Sequence, residues 1–342
     1  MSRTRMNKQY GLTMVELMVA LAIGSFLIIG AVQIYNQSRQ AFVINESIAR
    51  VQETAQFAMD TLEADLRMAS NWGRTSRPMT IEGRAMTSAA GGGVADPNPL
   101  SLPAPPDCGV DWSLNLAATL DGSNNTYDLA CAPKGGALNA AQPNSDIITV
   151  RRATVDPVPP LNGALQLQTT RLMGRIFADG SVPAMFSTDI NPNTGEPYST
   201  THNLIVNSYY VAADSDLIPG SPALRRKSLG VGVAGPIIID EEVAPGVENI
   251  QIQLGIDINQ DNTVDRYVNP GDPVYDPDDP AYIPGASVIT ARFWLVVRGL
   301  SPEVGIQDNR DYEPGDVDLG VPGDQFRRML VSKTVLLRNS RI

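Results

Sequence analysis

From Leu12 to Val32 the chain runs twenty-one apolar or small residues with a single charge, Glu16. As a helix rising ~1.5 Å per residue, the run is roughly 31 Å long and crosses a bilayer core. The ten residues before it hold Arg3, Arg5 and Lys8 and no acidic side chain. That bias keeps the N-terminus cytoplasmic and exports the C-terminal body. A signal anchor accounts for this much. An ordinary cleaved signal peptide fits less well, because no polar region with a small-x-small site ends the run. Neither accounts for Glu16, since a carboxylate inserted deeply in hydrocarbon costs about 2–3 kcal/mol.

The string Gly11-Leu12-Thr13-Met14-Val15-Glu16 resembles the prepilin processing site of type IV pilins. The resemblance implies cleavage between Gly11 and Leu12 by prepilin peptidase and N-methylation of Leu12. It also implies that Glu16 pairs with an N-terminal amine during assembly. Pairing replaces two isolated charges in lipid with one neutral pair. Leu12 departs from the phenylalanine or methionine common at that position.

Helical patterning continues past the membrane span. No glycine or proline occurs from Ala31 through Trp72. Ile44, Ile48, Val51, Ala55, Ala58, Leu62, Leu66 and Ala69 recur at steps of three or four, opposite Arg39, Glu46, Glu53, Asp60, Glu63 and Arg67. This amphipathic stripe is ready to pack on a sheet or another helix. A helix from Leu12 to Ala69 would be roughly 87 Å long, with Gly24 and Gly30 its weakest points.

Within the stripe, Asp65-Leu66-Arg67-Met68-Ala69 resembles an element of the PilW family of minor pilins. Further matches lie at Asn207-Ser208-Tyr209-Tyr210-Val211 with Leu224-Arg225-Arg226, at Val247-Glu248-Asn249-Ile250-Gln251, and at Phe326-Arg327-Arg328 with Thr334 to Asn339. Residues 75–145 match nothing in that family.

Short, separated strands are expected at 146–151, 203–211, 247–256, 288–298 and 329–338. In the last, Met329, Val331, Val335 and Leu337 share one face, the alternation of a half-buried antiparallel strand. The fold class is therefore α+β: a long N-terminal helix, membrane-spanning and then amphipathic, packed on an antiparallel β-sheet with loop-rich insertions. The expected organisation is a leader at 1–11, a transmembrane segment at 12–34 and an amphipathic helix at 35–72. A Gly/Pro/Asn-rich insertion at 73–145 and a β-sheet body at 146–342 complete it. Cys108 and Cys131 fall in the insertion of an exported body, so an intramolecular disulfide is expected. Closing that loop contributes about 3 kcal/mol.

One stretch has the look of a metal loop. Asp257, Asn259, Asp261 and Asp265, with the Thr263 carbonyl, reproduce the early half of an EF-hand-like calcium loop. Asn262 stands where glycine normally turns, and Val268 replaces the closing glutamate. Asp272, Asp276, Asp278 or Asp279 would have to supply a further ligand. The competing reading is a solvated Asx-rich turn. No cofactor is required by either.

Catalysis has little to stand on. The single histidine, His202, lies in a loop-like string and reads as a solvated loop side chain. No G-x-S-x-G, H-E-x-x-H or phosphate-loop motif occurs. With 37 acidic against 26 basic residues and a net charge of −11, the chain repels nucleic acid. Removing the leader takes away three positive charges and leaves −14.

The family resemblance implies a non-enzymatic minor pilin that helps initiate or cap a pilus. Its partners would be prepilin peptidase, other minor pilins, the major pilin, the inner membrane and a large tip adhesin. The body would be periplasmic, then extracellular in the assembled pilus. Alternatives are a J-class type II secretion pseudopilin, similar in architecture but usually shorter, a pilus-tip adhesion module, and a membrane-anchored periplasmic enzyme.

Overall fold

The structure, a computed structural model, describes residues 11, 13–85, 108–109, 111–136, 140–188, 190–195, 197–233, 235–276, 279–303 and 305–340. The chain divides into two units, Met1–Ala49 and Arg50–Ile342. Helix α1 (Met14–Met68) supplies all the regular structure described in the first unit and continues into the second. In the first unit it is long and apolar enough to cross a membrane. Gly24 and Gly30 do not interrupt it.

In the second unit the helix meets two sheets. The larger is built from β1 (Ile81–Glu82), β2 (Leu120–Ser123), β3 (Ile147–Ala153), β4 (Asn162–Thr169), β5 (Gly174–Asp179), β6 (Thr200–Ala212), β7 (Ala223–Gly232) and β8 (Gly235–Pro245). Its order is β1-β5-β4-β6-β3-β2, antiparallel except for β1 against β5. Strand β6 is long enough to fork: its first residues pair with β4 and its last with β7, which carries β8 as a hairpin. The smaller sheet has the order β10-β9-β11-β12, from β9 (Val247–Asp257), β10 (Arg266–Val268), β11 (Ser287–Arg298) and β12 (Arg328–Leu336).

The period-two pattern decides where each face goes. Ile250, Ile252, Leu254 and Ile256 alternate on β9, and Ala291, Phe293, Leu295 and Val297 on β11. They join Ile148, Val150, Tyr209 and Val211 of the larger sheet and Val51, Ala55, Ala58, Leu62 and Leu66 of α1 in the main core. A second core lies on the other face of the larger sheet, around Trp72, Trp112, Leu116, Leu165, Leu167 and Val206.

Two expectations are corrected here. The sheet begins before residue 146, because Ile81–Glu82 and Leu120–Ser123 of the 73–145 segment are strands, and Trp112 fills the second core. The Trp112 indole donates to Ser208 Oγ at 2.8 Å, which ties that segment to β6. His202 is no solvated loop residue. It is 3% exposed and lies within β6, with Nδ1 2.8 Å from the Thr154 carbonyl and Nε2 2.8 Å from Thr200 Oγ1. Burial pushes its pKa down, which favours the neutral imidazole. Gly73 leaves room for it: a Cβ there would lie 2.6 Å from the ring.

Candidate functional site

The N-terminal end of α1 begins with a reciprocal cap. Glu16 N–H donates to Thr13 Oγ1 at 3.3 Å, while the Glu16 carboxylate accepts from Thr13 N–H and Oγ1 at 2.9 Å each. Thr13-x-x-Glu16 is thus a capping box, which satisfies backbone groups that have no helical partner. The spacing is a local signal in the sequence, although the processing motif overlies it and draws no attention to Thr13. Gly11 is exposed beside this cap; Leu12 lies outside the described residues.

The second cluster sits where α1 ends against the larger sheet. The carboxylate of Asp65 is buried and accepts from Arg152 Nη2 (2.7 Å) and Nε (3.1 Å), Asn207 Nδ2 (2.5 Å) and the Tyr209 hydroxyl (2.5 Å). Burial and this carboxylate push the Tyr209 phenol well above its usual range, so it stays a donor. One turn later Asn339 Nδ2 donates to the Ala69 carbonyl at 3.1 Å, capping the helix C-terminus. Ser70 comes next in the left-handed region (φ 62°) and ends the helix.

Two further ion clusters fix the remaining strands. Arg225, 1% exposed in its side chain, reaches Asp216 and Asp240, and Lys227 also reaches Asp240 at 2.7 Å. Arg328 is gripped by Glu248 and Asp324, each at 2.6 Å; these partners raise its pKa against the opposing effect of burial. Residues resembling the family elements therefore meet as structural staples: Asp65 with Asn207 and Tyr209, Glu248 with Arg328, Asn339 with Ala69.

Cys108 and Cys131 form a disulfide, with Cα atoms 4.4 Å apart. It holds the segment whose Ala132 carbonyl accepts from Lys227 Nζ at 2.8 Å.

The acidic loop is a stapled turn. Asp257 accepts from Gln260 N–H and Asn262 N–H at 2.7 Å each, and Asp265 from Ile258 N–H at 2.7 Å. Asn259 accepts from Asp261 N–H at 3.0 Å, and Asp261 from Thr263 N–H at 2.8 Å. The Thr263 bonds hold the Asp261 carboxyl below its usual range. Asn262 takes the left-handed geometry (φ 64°) expected of it. Among the described residues no group of three or more His, Cys, Asp or Glu stands close enough to hold a metal. Asp257, Asn259, Asp261 and Asp265 each accept at least one hydrogen bond within the turn, and Asp278 lies outside the described residues.

The comparisons with known proteins bear on both ends of the chain. The prokaryotic N-terminal methylation motif matches residues 6–32, which include Gly11, Thr13 and Glu16. The family of type IV pilus-assembly protein W matches residues 208–339, from β6 through the Asn339 cap. Over residues 208–339 the chain is similar to the PilW family. Asp65 lies outside the matched span, but its partner Tyr209 lies within it. No curated protein and no solved structure matches the chain. The chain therefore joins a prepilin-type signal, an apolar helix suited to anchoring in the inner membrane, and a disulfide-bonded α+β body with a PilW-like span.

Proposed function

We propose that this chain is a PilW-family minor pilin that helps initiate or cap a type IV pilus. Prepilin peptidase removes residues 1–11, and the remaining N-terminal helix enters the filament beside the helices of other minor pilins and the major pilin. The body lies on the periplasmic side before assembly and outside the cell afterwards. The observation that carries the reading is Glu16, held at the helix terminus by Thr13 inside a prepilin-type motif. A carboxylate there is already satisfied within its own subunit. It can exchange those bonds for the amine of a neighbour without being stranded in lipid. In cells lacking this gene, surface pili are expected to fall sharply and to return with the wild-type gene but not with Glu16→Ala. Full piliation without the gene would remove the assembly role.

A further inference from the structure

The outer face of the smaller sheet carries an arginine with no carboxylate partner among the described residues. Arg292 alternates with Ala291 and Phe293 of the main core and so points to the opposite face. Its guanidinium lies 4.2 Å from the Tyr267 ring centroid and 5.8 Å from that of Trp294. Tyr267 is itself fixed, being paired with Gly255, where an added Cβ would stand 3.1 Å from the ring. Other half-buried arginines each hold an acceptor: Arg152 with Asp65, Arg175 with Glu82, Arg226 with Glu241, Arg298 with Glu248, Arg327 with Glu303. Arg292 makes ring contacts instead.

Gln253 and Thr334 flank Arg292 in one row across β9, β11 and β12, at about 4.8 Å on either side. The segment after β11 covers the adjacent row at Gly315, where a Cβ would lie 2.8 Å from Gln251 Cβ and 3.5 Å from the Trp294 ring. It leaves Thr334 exposed and Arg292 and Gln253 half-buried.

We propose that this face, centred on Arg292, is a docking surface for an acidic, extended segment of a partner protein, with a carboxylate of that segment received by the guanidinium. The ring-stacked guanidinium is pre-oriented with its edge donors unused, the geometry that receives a carboxylate through paired hydrogen bonds. The amide of Gln253 and the hydroxyl of Thr334 on this sheet face suit a backbone laid across it. The acidic turn Asp257–Asp265 directly precedes Tyr267 and repels a ligand in proportion to its charge, so a segment with one or two carboxylates is favoured over a dense polyanion. The surface does not depend on the pilus position proposed above.

The test uses the full chain in detergent and the capped peptide Ser-Glu-Thr-Glu-Ser, with its glutamine analogue as control and heparin as a polyanion competitor. The acidic peptide is expected to bind wild type, the analogue not to bind, and Arg292→Gln to weaken binding about tenfold or more. Thr334→Glu, at an exposed position, supplies an internal carboxylate that occupies the guanidinium and is expected to weaken binding comparably without altering the melting midpoint. It decides the matter if Arg292→Gln fails to fold. Absence of binding, equal binding of the glutamine analogue, or unchanged binding in Thr334→Glu overturns the proposal. So does displacement by heparin at equal charge concentration, which assigns the surface to polyanions.

Discussion

Asp146 sits at the seam between the two sheets, fully buried, and accepts from Asn125 N–H at 2.8 Å and Ile252 N–H at 2.7 Å. Desolvation outweighs both bonds and pushes its carboxyl up to about 7 from the ordinary 3.8, with Asp316 adding to the rise. A raised folded-state pKa means that the native state keeps a proton the unfolded chain has released. The associated stability is complete below the unfolded value and is lost as pH rises through the folded one. Between about pH 4 and 7, stability is therefore expected to fall by up to about 1.4 kcal/mol per pH unit from this group. Urea unfolding of the full chain across that range checks it, and Asp146→Asn should flatten the slope. At this scale the sequence is a poor guide wherever a polar residue is buried against a distant partner. His202 sits in a string of threonines and asparagine that reads as loop. Thr154, Gly73 and its β4 partner Leu167, all remote in sequence, make it part of a packed strand.

The joint between α1 and the larger sheet depends on one carboxylate with four donors. Asp65→Ala leaves Arg152, Asn207 and Tyr209 without their acceptor and should cost about 3 kcal/mol. A double-mutant cycle with Arg152→Ala should show coupling of about 1 kcal/mol or more; additive losses would mean that the pair contributes little. The helix and the strands β3, β6, β9, β11 and β12 are legible because their apolar periodicity is local. Strands β4, β5, β7 and β8 are not. In β4 Gln168 is satisfied by Ser199 and Thr201 of β6 or the turn before it, and Gln166 by Asn203 of β6 as well as by Leu161 N–H and the Pro159 carbonyl. In β7, Arg225 and Lys227 are buried because β8 brings Asp240 alongside. Local hydropathy holds no trace of such pairings. Thr13 is different: its spacing to Glu16 is a local capping signal, eclipsed by the processing motif that contains it.

Across the whole molecule, the two ends carry different kinds of information. The N-terminal segment matches the prokaryotic methylation motif over residues 6–32, and its residues are readable one by one because they follow one another in sequence. The body concerns fold. Its family-matched span, residues 208–339, supplies ion-pair staples and core strands and no catalytic constellation among the described residues. The assembly account stands on the junction of Gly11 and Leu12, with Glu16 close behind at the helix terminus. The most direct measurement is intact-mass and N-terminal sequencing of the chain purified from cells expressing its prepilin peptidase. The expected result is a mature chain beginning at Leu12 and one methyl group heavier than its unmodified residues. A chain that retains residues 1–11, or is cut at any other bond, would contradict it.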